Sequence, residues 1–237
     1  MAAVGVLPAG GLYLGTLRGS PQLWMVVAIG LVMLVLSMGW PSLSAVPAPN
    51  SARAVLVFTS VVALFLAGYV PESQSAVLVA IGLGLPAAFV RELTRPAPRS
   101  DLVRSVAGTT CGVMAVAVTS LWVTAAQTAH FEDLAWVAAG GIGSSCLVMA
   151  IKRSEVMAAV AVAVAAGVGT GLSFLVGTPW WGAAGVAAVC AVAPAALWVA
   201  GEGRSILAGR LVLGDLAFLF LPLAVAAVPV WAAQLMR

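Results

Sequence analysis

The chain has 237 residues, 62% of them hydrophobic and only 8% charged, with a formal net charge of +3. A water-soluble domain carries about 25% charged residues, so this chain has too few to clothe a water-facing surface, and its mean hydropathy of +1.12 calls for lipid around it. The basic excess does not indicate nucleic acid, because the basic side chains are scattered between long apolar runs and make no continuous phosphate-binding face.

A helix needs about 20 apolar residues to cross the hydrocarbon core, whereas a membrane strand needs about 10 of alternating polarity. The N-terminal residues 1–22 do not read as a secretory signal: Pro8 and several glycines interrupt them, and no basic residue precedes the apolar stretch. They are expected to be a lead-in to one transmembrane domain, 23–237. Within it the predicted spans are Leu23–Trp40, Ala54–Val70, Ser73–Val90, Leu102–Ala126, Leu134–Ile151, Val156–Val176, Trp180–Ala200 and Leu211–Gln234. The fold class is therefore all-α, a polytopic transmembrane helix bundle of about eight spans.

Punctuation agrees with this division. Pro41, Pro47 and Pro49 follow the first span, Pro71 separates the second from the third, Pro96 and Pro98 precede the fourth, and Pro179 precedes the seventh. Proline lacks an N–H and clashes with the preceding turn. Pro86, Pro194, Pro222 and Pro229 fall inside or near span ends and are expected to kink them. All eight Trp lie near a predicted span end, which places their indoles at headgroup level.

Arg and Lys set the orientation. Arg53; Arg91, Arg95, Arg99 and Arg104; Lys152 and Arg153; and Arg204 and Arg210 fall in four connections that share one side of an eight-span bundle. The other side holds Arg18 and Arg237 with the acidic Glu72, Glu132 and Asp133. The basic side is expected to be cytoplasmic and both termini outward. The near-exclusive use of Arg, with abundant Ala, Val and Gly, suggests a bacterial plasma membrane.

Several patterns carry packing information. Ser105, Gly108, Gly112, Ala115 and Thr119 form one stripe of small residues in the fourth span, and Ala163, Gly167 and Gly171 repeat the spacing in the sixth. Such stripes let helices approach closely, within the monomer or across a homodimer seam. Gly140, Gly141, Gly143, Ser144 and Ser145 form a Gly/Ser patch in the fifth span. It is neither a P-loop nor a nucleophile elbow, so packing is expected there too. Cys111, Cys146 and Cys190 all lie in apolar runs, without a CxxC pair, and read as buried thiols.

The chemistry-bearing candidates are few. His130, Glu132 and Asp133 read as a solvated turn rather than a metal site. Asp215 is the one carboxylate inside an apolar span, and intramembrane acids are functional suspects. It lies about one turn from the cytoplasmic end, where pairing with an Arg is the simpler account. The 91–104 connection, RELTRPAPRSDLVR, is the most distinctive polar segment. Its prolines predict a short extended arm, with Arg95 and Arg99 free to meet anionic headgroups or an acidic protein partner and Arg91 and Arg104 acting as topological anchors. No catalytic residue, cofactor or metal is indicated.

Two stretches, GWPSLSAVPAPNSARAVLVF at 39–58 and FVRELTRPAPRSDLVRSVAGTTCGV at 89–113, resemble a family of uncharacterised actinobacterial multi-pass membrane proteins. That resemblance implies no substrate, cofactor or catalytic residue. Lys152-Arg153 resembles one fragment of the phosphatidate cytidylyltransferase signature, but the carboxylate-rich stretch that would hold metal is missing. The expected function is non-enzymatic: an accessory or scaffold of the cell envelope in contact with membrane lipids. A small permease or flippase for a neutral or lipid substrate is the alternative, and a membrane lipid enzyme a third.

Overall fold

The computed structural model describes residues 21–69, 75–95, 101–127, 131–151, 155–176, 183–192 and 213–235. These residues are helical, with short turns and no strand among them. The helices are α1 (Pro21–Leu43), α2 (Pro49–Tyr69), α3 (Ser75–Leu93), α4 (Leu102–Thr119), α5 (Leu121–Ala125), α6 (Phe131–Ile151), α7 (Glu155–Val176), α8 (Ala183–Val192) and α9 (Leu213–Leu235). Each predicted span overlaps one of them: the fourth is divided between α4 and α5, and of the seventh only Ala183–Val192 lies among the described residues. Among the described residues, four helices are long and apolar enough to cross a membrane: Met25–Leu43, Pro49–Tyr69, Leu102–Ala125 and Val156–Phe174. Large apolar side chains cover the outside, Phe65, Leu78, Val156 and Phe174 among them. Water does not tolerate so continuous an apolar exterior.

The helix ends depart from the proline reading in a physically simple way. Pro49 opens α2 and Pro21 opens α1, because a first-turn residue needs no N–H partner and its φ is already helical. Pro41 lies in the last turn of α1, which runs on to Leu43. Glu132 and Asp133 are not in a loop: they occupy the first turn of α6, where negative charge complements the helix N-terminus. His130 lies outside the described residues.

Small residues make the interior. Ala63 and Ala67 of α2, Ala80 and Ala88 of α3 and Ala117 of α4 are fully buried. A Cβ on Gly84 would sit 2.7 Å from both Thr59 Oγ1 of α2 and Val113 Cγ1 of α4. Helix α3 therefore lies in the groove between α2 and α4. The fourth-span stripe is inward, as expected, but it receives a side chain and a turn rather than a bare helix. A Cβ on Gly112 would lie 2.7 Å from Trp40 Cδ1, and one on Gly108 would lie 2.7 Å from Val46 Cγ2. Trp40 Nε1 also donates to the Gly108 carbonyl at 2.8 Å. Between α1 and α2 the buried hydroxyls of Ser37 and Ser60 hydrogen-bond to each other at 2.9 Å.

The Gly/Ser patch of α6 packs on α8 and α7. Gly141 faces the Ala187 backbone, Ser145 Oγ donates to the Ala191 carbonyl at 3.1 Å, and Gly140 faces Leu172. The sixth-span stripe is a correction. Ala163, Gly167 and Gly171 are exposed on α7, and nothing lies within 4 Å of a Cβ built at either glycine. Gly169, between them in sequence, is the glycine that approaches α8. Cys111 is likewise exposed rather than buried, while Cys190 is buried.

Trp122 corrects the indole rule. It is 0% exposed, and its Nε1 donates to the Leu223 carbonyl of α9 at 2.8 Å. A buried indole needs such an acceptor, so this one works in the core rather than at headgroup level. It stands just past Ser120, whose Oγ donates to the Ala117 carbonyl at 2.7 Å and divides α4 from α5. The last helix thus docks against the first half of the molecule: α9 packs on α1, α4 and α5, and also touches α6.

Candidate functional site: the arginine-rich end of the bundle

Four chain segments meet at one end of the bundle: the end of α1, the start of α2, the end of α3 and the start of α4. The Trp40–Gly108 hydrogen bond, the Val46–Gly108 approach and a Ser105–Glu92 hydrogen bond tie them together. Arg53, Arg91, Arg95 and Arg104 belong to these segments and so share that end.

Each arginine has a different environment. Arg53 is half-buried; its Nε donates to the Met38 carbonyl at 3.1 Å and its Nη1 to Asn50 Oδ1 at 3.0 Å. It therefore caps the negative end of α1. Arg91, one residue inside the last turn of α3, is exposed. Arg104, in the first turn of α4, is also exposed. Arg95 corrects the sequence reading. It is no free arm, because its Nη1 pairs with Glu92 Oε2 at 3.2 Å.

Glu92 is the residue that sequence reasoning passed over. It is 3% exposed, and its second oxygen, Oε1, accepts from Ser105 Oγ at 2.7 Å. A carboxylate buried this far needs hydrogen-bonding partners on its oxygens, and here each oxygen has one. Two signals in the sequence point to it. Ala80, Gly84, Ala88 and Glu92 recur at spacing four, so the carboxylate ends a stripe of small, inward-facing residues. Glu92 and Arg95 are also spaced for pairing within one helical turn.

The two bonds of Glu92 are unequal. The Ser105 bond is buried and crosses to α4, where a hydrogen bond to a charged acceptor contributes about 1.5–3 kcal/mol, whereas Arg95 lies past the end of α3 and stays partly exposed, so its pair is the more easily replaced by water. In double-mutant cycles, Glu92→Gln is therefore expected to couple more strongly to Ser105→Ala than to Arg95→Gln. A larger coupling to Arg95→Gln in the melting of the detergent-solubilised protein would show that Glu92 is held by Arg95 more than by α4.

The connection itself begins irregularly. Asp101 has φ 55° and ψ 37° and is exposed, and its side chain does not cap α4. Arg99 and the prolines at 96 and 98 lie outside the described residues, and with them the expected extended arm. Asp215 is the third residue of α9, and its side chain is likewise outside them. So are Lys152, Arg153, Arg204 and Arg210. At the opposite end of the bundle, Gln127 Nε2 donates to the Ala67 carbonyl at 2.7 Å, and its Oε1 is buried without a partner. Among the described residues, no three His, Cys, Asp or Glu side chains come together as metal ligands would. Neither a family model, nor a curated protein, nor a solved structure matches the chain.

Proposed function

We propose that the chain is an eight-span protein of a bacterial plasma membrane that works without catalysis, as an accessory or scaffold of the cell envelope. Its working surface is the arginine-rich end, turned to the cytoplasm, where it holds anionic lipid. The observation that supports this is the meeting of Arg53, Arg91, Arg95 and Arg104 at one end of an apolar bundle, with two of them exposed. Each such charge near an anionic bilayer surface contributes about 1 kcal/mol of attraction.

Two measurements test the reading. Alkaline phosphatase fused at Arg237 is expected to be active and a green fluorescent protein fusion dark, since the positive-inside rule puts both termini outward. The reverse pattern would overturn the eight-span arrangement. Purification in mild detergent is expected to carry over anionic lipid, and stoichiometric protein partners if the surface is also a scaffold. A saturable small substrate recovered instead would favour a permease.

A further inference from the structure

We propose that Arg91 and Arg104 form a two-arginine clamp for the phosphodiester of an anionic glycerophospholipid, and that Glu92 withholds Arg95 from it. The clamp rests on the reading of this end as a lipid-contacting surface and assigns the contact within it. It also reverses the division of labour suggested by the sequence, in which Arg91 and Arg104 are anchors and Arg95 is the free group.

The argument begins at the 2.7 Å contact between Glu92 and Ser105. It joins two antiparallel neighbours, the end of α3 and the start of α4. Arg91 and Arg104 each precede one of these partners by a single residue. One step back along a right-handed helix of 3.6 residues per turn rotates a side chain by about 100°. Seen end-on, antiparallel helices rotate in opposite senses, so both steps carry the arginines to the same side of the pair. Independent contacts mark that side. Gly84, two turns before Arg91 on nearly the same face, points between Thr59 of α2 and Val113 of α4. Gly108, one turn after Arg104, meets Val46 of the α1–α2 turn. Axes of packed helices lie about 8–10 Å apart, a separation that two arginine side chains span to reach one phosphate.

Charge and surroundings select the ligand. Glu92 is fully engaged by Ser105 and Arg95, so it leaves the two exposed guanidiniums unneutralised. Asp101 is exposed and makes no ion pair with Arg104. The outer faces of the same two helix ends are aliphatic and bare: Val90, Leu93 and Val103 are 59%, 60% and 80% exposed. A soluble anion gains nothing from such a border, whereas a glycerophospholipid sets its phosphate on the arginines and its glycerol and acyl carbons on the aliphatic rim. Two guanidiniums against one phosphate also favour phosphatidylglycerol over phosphatidylcholine, whose choline is repelled.

The test is retention of lipid by the purified full-length protein in neutral detergent, read by native mass spectrometry. Dioleoylphosphatidylglycerol, dioleoylphosphatidylcholine and glycerol 3-phosphate are the probes. Wild type is expected to retain phosphatidylglycerol over both others, with the preference fading at high salt. Arg91→Gln and Arg104→Gln are each expected to weaken retention about fivefold, and the double variant about 30-fold. Arg95→Gln made together with Glu92→Gln, which removes both members of the internal ion pair and leaves no carboxylate unpaired, is expected to bind like wild type. Arg91→Lys with Arg104→Lys keeps the topogenic charge but loses the two-pronged donor geometry, and retention is expected to fall here too. Undiminished retention in that lysine variant, or loss confined to the variant lacking both Glu92 and Arg95, overturns the clamp while leaving the lipid surface standing. Equal retention of the two lipids by wild type overturns both, and glycerol 3-phosphate binding as tightly as phosphatidylglycerol overturns the assignment to lipid.

Discussion

Trp122→Ala is expected to be the most damaging single truncation in the described core, costing about 3–5 kcal/mol. Three effects add. The side chain is 0% exposed and the largest of the fully buried ones, so its removal leaves a cavity. The indole packs edge-on against Phe131, with ring centroids 6.3 Å apart. Its Nε1 bond to the Leu223 carbonyl joins α5 to a helix 101 residues away, so the cavity opens at the junction of distant parts of the chain. Trp122→Phe separates these contributions. It keeps much of the ring volume and loses the donor, and is expected to cost about 0.5–1.5 kcal/mol. Thermal melting in detergent, followed by size-exclusion of the surviving monodisperse protein, reads both. An alanine variant that melts with wild type would mean that the indole faces lipid.

The second large effect is one of opposite signs at neighbouring glycines. A Cβ on Gly141 would lie 2.6 Å from the Ala187 carbonyl oxygen and 2.9 Å from Ala187 Cα. These are backbone atoms of α8, which cannot rotate away, so α6 and α8 would have to separate. Gly141→Ala is expected to cost about 1–3 kcal/mol, and Gly141→Leu more. Gly143 is two residues on and has nothing within 4 Å of the same atom. Gly143→Ala is expected to be neutral or to stabilise by up to about 1 kcal/mol, because alanine is the better helix former. Gly169 repeats the first case: a Cβ there would lie 2.6 Å from the Ala183 carbonyl oxygen. Gly167 repeats the second. Melting points that move together at 141 and 143 would show that α8 does not sit against α6.

The helices were legible because a bilayer demands long apolar runs, and such runs are visible without any periodicity. Which face of a helix turns inward was not, because lipid-facing and core-facing positions are equally apolar. Hence the stripe at Ala163, Gly167 and Gly171 reads like the stripe at Gly108 and Gly112, although only the latter is covered. Hence also Trp122: its place near a span end agrees with an interfacial anchor and with a core residue alike. Prolines mark boundaries only to within a turn, since Pro49 and Pro41 are compatible with the first and last turns of helices. At the arginine-rich end, the membership of Arg91, Arg95 and Arg104 was legible from charge. The capture of Arg95 is foreshadowed by its spacing of three from Glu92. The partnership with Ser105 is a tertiary contact between two helices, and local sequence carries no trace of it.

The docking of α9 onto α1, α4 and α5 has a consequence for how the molecule is made. Synthesis proceeds from the N-terminus at about 5–20 residues per second, so roughly 10–40 s pass between completion of α1 and emergence of α9. Until α9 arrives Trp122 has no Leu223 carbonyl to donate to, and the side of α1 that α9 will cover meets lipid or the insertion machinery instead. Ribosome-stalled chains ending before residue 213 are therefore nascent intermediates in which α1 to α4 can pack on one another but the side that α9 covers stays open. Their survival depends on whatever shields that seam until the final helix arrives.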